Sequence, residues 1–76
     1  MIVSAEWPGC ILDIFVSEGE EVDEDEQLML LEGTDDARTQ FFIHAPVSGK
    51  VVKVLVEDGD FVQDDDDLLE MIEIDQ

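Results

Sequence analysis

The sequence predicts an all-β domain, a sandwich or flattened barrel of about eight short strands with pseudo-twofold symmetry. Three observations predict it. The two halves of the chain align when shifted by 40 residues. Apolar residues come in short runs that alternate with polar ones, the period of strands rather than helices. No stretch offers a helix of ordinary length, and residues 18–28, the nearest candidate, are interrupted by a glycine and repeated acids. Seventy-six residues make one small domain with a thin core. With 45% hydrophobic residues, the chain is too apolar for a disordered acidic tail.

The repeat is detailed. Gly9 falls on Gly49, Val16 on Val56, Gly19 on Gly59, Val22 on Val62, Asp25 on Asp65 and Leu28 on Leu68. Between these, Ile11 meets Val51, Ile14 meets Val54 and Glu18 meets Asp58. The expected halves are 9–32 and 49–73, joined by a hairpin at 33–39, within a single domain 1–76.

Taken in order, residues 1–6 form an extra first strand, and Trp7 is expected to cover one end of the core, its indole N–H bonded or wet. A glycine then opens a strand in each half. Alternation places Leu12, Ile14 and Val16 on one face, and Val52, Val54 and Val56 on the equivalent face. The opposite face, with Asp13 and Phe15 or Lys53 and Leu55, is half wet. Glu18-Gly19 and Asp58-Gly59 put glycine where a tight turn wants positive φ. A short segment ends in Val22 or Val62, and an acidic bend leads to a leucine-rich strand, Leu28–Glu32 or Leu68–Ile72. A further strand spans 39–45, where Phe41 and Phe42 put aromatics on both faces.

This arrangement resembles the biotinyl/lipoyl carrier domain family. The resemblance covers roughly residues 8 to 74 and rests on Gly9, Glu18-Gly19-Glu20, Val22, Leu28 to Glu32, Ala45-Pro46-Val47-Ser48-Gly49, Asp58-Gly59-Asp60, Val62 and Leu68 to Glu73. It implies a barrel-sandwich hybrid: a flattened barrel of two four-stranded antiparallel sheets, with a cofactor-bearing lysine at the tip of the central hairpin. The length is similar to that of small single-domain attachment proteins. Two departures stand out. Family members usually have glycine in the bend where this chain has Asp25 and Asp65, residues that tolerate the left-handed conformation. Counted forward from Leu28 and Glu32, the lysine position falls on Asp35; counted back from Ala45-Pro46, it falls on Arg38, within Asp36-Ala37-Arg38-Thr39. Neither is lysine, and the hairpin is longer than the family norm.

Biotin and lipoate attach through an amide to a primary amine. Aspartate has none, and the guanidinium of arginine stays protonated and delocalised. The expectation is therefore a biotinyl/lipoyl-like domain with no cofactor, acting as a binding or scaffold module for a protein partner that recognises carrier domains. Arg38, Thr39 and Phe41 are the expected contact region. Against this, Arg38 also reads as a solvated charge at a degenerate lysine site. The alternative is a genuine biotin or lipoate carrier of a carboxylase or 2-oxo-acid dehydrogenase system, loaded at Lys50 or Lys53. A purely structural acidic module is a further alternative.

Twenty-two acids against three cations give a formal charge of −19, which repels nucleic acid and anionic membranes and favours basic partners. The same balance suits a high-salt cytoplasm. Residues 1–6 lack a basic n-region, and the longest apolar stretches are four residues, so neither a signal peptide nor a bilayer span is expected. One cysteine fits a reducing compartment, and the expectation is a cytoplasmic protein.

No enzymatic constellation is expected. Cys10 has only His44 as a candidate base, with no nucleophile motif around it, and reads as a small packed residue. Asp64–Asp67 lacks the glycine and ligand spacing of a calcium loop and repeats Asp23–Glu26, so it reads as a solvated bend rather than a metal site.

Overall fold

Each half of the repeat cannot bury its apolar face alone, and the fold solves this by exchanging short strands between halves. A computed structural model, which describes residues 1–74, contains eight strands and no helix. They are β1 (Ile2–Ser4), β2 (Gly9–Ile14), β3 (Glu21–Val22), β4 (Gln27–Gly33), β5 (Gln40–His44), β6 (Gly49–Val54), β7 (Phe61–Val62) and β8 (Asp67–Glu73). Two four-stranded antiparallel sheets face each other, ordered β1-β8-β6-β3 and β5-β4-β2-β7. The short β3 of the first half thus completes the sheet of the second, and β7 returns the exchange.

The turns enforce this interlock. The N–H of Gly19 donates to the carbonyl of Val51 (2.7 Å), and that of Gly59 donates to the carbonyl of Ile11 (2.7 Å). Both glycines need positive φ, 89° and 91°, which a Cβ would disfavour. At the next bend Asp25 and Asp65 both adopt φ of 68°, the left-handed conformation expected where the family uses glycine. Their N–H groups donate to Ala45 and Ala5 (both 2.8 Å). The acids around these bends cap turns: the Asp60 carboxylate accepts from Glu57 N–H (2.8 Å), and Asp66 from Gln63 N–H (2.7 Å).

The core lies between the sheets and follows the repeat: Ile11 with Val51, Val22 with Val62, Leu28 with Leu68, Met29 with Leu69, Leu31 with Met71, Ala5 with Ala45. One alternation reading is corrected here. Leu12 does not share a face with the buried Val16; it is 38% exposed, while its neighbour Ile11 is fully buried. The ladder with β4 passes from Ile11↔Leu31 to Asp13↔Leu30, leaving Leu12 as the extra residue of a β-bulge. The second half has the same bulge at Val52, between Val51↔Met71 and Lys53↔Glu70. Beyond the bulges, Ile14, Val54 and Val56 pack half-buried against the core as expected, and Phe15 and Leu55 face solvent.

Close packing of β2 on β4, and of β6 on β8, depends on glycine. A Cβ at Gly9 would run into the carbonyl oxygen of Glu32, and one at Gly49 into that of Ile72.

Candidate functional site

The hairpin between β4 and β5 is where the sequence directs attention. Its last ladder pair is Glu32↔Gln40, and Gly33 N–H donates to the Thr39 carbonyl (2.8 Å) just beyond it. The tip is a tight turn closed by Arg38 N–H donating to the Asp35 carbonyl (2.9 Å). Asp36 and Ala37 are therefore its central residues. Arg38 follows with φ of 51°, the left-handed residue that commonly completes such a hairpin loop.

Asp35 and Arg38, the positions given by the forward and the backward count, are the first and last residues of this single turn. Asp35 has a structural task. Its carboxylate accepts the Thr39 hydroxyl (2.6 Å) and the Thr39 N–H (2.9 Å). These two bonds, the hydroxyl first, hold the Asp35 carboxyl below its ordinary value, against a smaller opposing effect of desolvation. The side chain is thus turned back into the loop as a brace. This bracket was missed in the sequence, although Asp and Thr near a turn are residue types known for such local bonds. Arg38 is exposed at the tip.

The Phe41 ring and the Thr39 carbonyl both lie beside Gly33. Phe41 is half-buried, and Trp7 stacks on it with centroids 4.6 Å apart and planes at 16°. The indole lies on a ring that itself packs against the core, and remains 48% exposed. On the other face of β5, Phe42 is exposed and lies against Phe15, centroids 6.2 Å apart.

The two lysines lie on β6. Lys50 is opposite Glu21 of β3, and Lys53 opposite Glu70 of β8, so each is placed as a cross-strand partner of an acid. Cys10 and His44 sit on strands separated by β4, at opposite ends of it: Cys10 pairs with Glu32 and His44 with Gln27. The chain does not bring them together. Among the described residues, no helix is long and apolar enough to cross a membrane.

The profile of the biotin/lipoyl family, "Biotin-requiring enzyme", matches residues 8–71. A search of curated protein sequences finds no match. Among solved structures, the chain is similar to a domain of a single-chain, multi-domain long-chain acyl-CoA carboxylase (26% identity, TM-score 0.89), covering 100% of this chain and 7% of that one. It is also similar to Kluyveromyces lactis urea carboxylase (24% identity, TM-score 0.84), covering 95% of this chain and 6% of that one. A third likeness, to truncated AcrA from Campylobacter jejuni (17% identity, TM-score 0.84), covers 99% and 88%. The last two are likenesses of fold. The chain spans only a small fraction of either carboxylase.

Proposed function

The chain belongs to the biotin/lipoyl family, and from that premise we propose that it is a member without an attachment amine, working as a binding or scaffold module rather than as a swinging-arm carrier. The observation that carries the proposal is the chemistry of one turn. From Thr34 to Thr39 the hairpin reads Thr-Asp-Asp-Ala-Arg-Thr, with no lysine. Its residues do not fit biotin or lipoate. Asp35 offers a carboxylate already engaged by Thr39, and Arg38 a guanidinium that does not act as an acyl acceptor at neutral pH.

The exposed tip, with Arg38 and Thr39, is the contact we assign to a protein partner that handles carrier domains. Arg38 presents a planar fork suited to a carboxylate or phosphate on that partner. The field of the whole chain adds a preference for partners that are otherwise basic.

A carrier reading draws support from the likeness to the acyl-CoA carboxylase domain. It would load Lys50 or Lys53. Both are in mid-sheet positions opposite acids, where a ligase cannot grip an amine as it grips one at a turn tip. Co-expression with a biotin ligase and, separately, a lipoate ligase tests the choice by intact mass. The expected product has the mass of the bare chain in both cases. An adduct mapped to Lys50 or Lys53 establishes the carrier reading instead.

A further inference from the structure

Two of the four edge strands, β1 and β5, lie on either side of an open groove. Sheet order ends at β1 in one sheet and at β5 in the other. Among the described residues, β5 pairs with β4 alone and β1 with β8 alone. A groove of about 620 Å³ runs between them, in the size range of ligand-binding clefts. Val3 and Leu31 form its buried floor, and Trp7, Phe41, Phe42 and Ile43 line it with apolar surface.

Edge strands with free N–H and C=O groups are templates for another strand. Natural proteins guard them with charges, prolines or bulges. Here β1 reads Ile-Val-Ser and β5 reads Gln-Phe-Phe-Ile-His, with no Asp, Glu, Lys, Arg or Pro in either. Charged residues make up 33% of the chain, yet these two edges carry none. Phe42 stays 44% exposed on β5.

The charge of the molecule decides the occupant. A second copy would bring another −19 to the same edge and be repelled. A basic segment would be steered in by the same field. We propose that the β1–β5 groove accepts an extended, lysine- or arginine-flanked segment of a partner protein, which adds as a fifth strand to the free edge of β5. Main-chain hydrogen bonds to β5 supply the register. Alternate apolar side chains enter the groove against Trp7 and Phe41, and the flanking cations meet the acidic bends.

This inference deepens the reading of the chain as a binding module and rests on it. The intact mass decides that reading and peptide binding decides this one, so the two can fail separately. The test titrates the isotope-labelled full chain with the peptide KKVTVTVKK and follows amide shifts and hydrogen exchange. Binding with slowed exchange at the amides of Gln40–His44 is expected. The equally basic KKGSGSGKK and the acidic EEVTVTVEE should each bind at least ten-fold more weakly. Phe42→Lys, which places a guard charge on the edge, should weaken KKVTVTVKK at least ten-fold. Ile72→Lys, an equal charge change at an exposed site on β8, should leave it within about two-fold. Equal binding of KKGSGSGKK, protection mapped away from β5, or self-association of the free chain through β5 would each overturn the proposal.

Discussion

The carboxylate of Asp35 receives two hydrogen bonds from one residue, the hydroxyl and the N–H of Thr39, and so braces the hairpin between β4 and β5. The bonds favour the ionised form and lower the Asp35 pKa. A depressed folded-state pKa adds hairpin stability that is present above the unfolded value and lost as pH falls through the folded one. The Thr39 amide shift should therefore titrate at lower pH than the ordinary aspartate value. Asp35→Asn should speed amide exchange at Gly33 and Thr39 while leaving Ile11 unchanged. A Thr39 amide that titrates at or above the ordinary aspartate pH would remove the brace from the account.

Gly9 and Gly49 let neighbouring backbones meet where no Cβ fits. Alanine at either site must push β2 from β4, or β6 from β8, and overpacking of this kind costs about 1–3 kcal/mol. Urea unfolding of Gly9→Ala and Gly49→Ala should show losses in that range. Gly33→Ala, where the Phe41 ring, the Asp35 carboxylate and the Thr39 carbonyl all stay beyond 3 Å of the added Cβ, should lose less.

Asp25 and Asp65 occupy the left-handed region at the same place in each half. A β-branched residue there costs about 1–2 kcal/mol more than one that tolerates this conformation. Asp65→Val should fall in that range by thermal or urea unfolding, and Asp65→Gly should stay within about 0.5 kcal/mol of the parent. Equal stability of the two variants would mean that the bend relaxes.

A net charge of −19 on 76 residues implies self-repulsion that salt screens. Raising salt from about 0.05 to 1 M should stabilise the fold by about 1 kcal/mol or more, seen as a Tm rise of roughly 4–8 °C or more. A flat or falling Tm over that range would show that the acids are held apart well enough not to strain the fold.

The 40-residue offset made most of the fold legible, because strand order, turn glycines and core residues all recur with it. Even the bend aspartates were readable as left-handed residues. The repeat runs further than the sequence reading carried it: Ala5 and Ala45 accept equivalent bonds, so β1 is the counterpart of β5. Their identity at the same offset was the available signal. Leu12 was misplaced because strict alternation counts one residue per step, and a bulge inserts one that is invisible to the period. The pairing of Trp7 with Phe41 and the groove beside it arise where two sheets meet, and no local pattern encodes that. At the hairpin, the two counting directions disagreed because an extended loop separates the landmarks; both of their answers belong to one turn, from Asp35 to Arg38.

The most direct test of the central claim is the intact mass of the protein purified from its native source, followed by peptide mapping across the hairpin and β6. The expected result is the mass of the unmodified polypeptide, with Asp35, Arg38, Lys50 and Lys53 all bare. A covalently bound biotinyl, lipoyl or other acyl arm on any of them would contradict it.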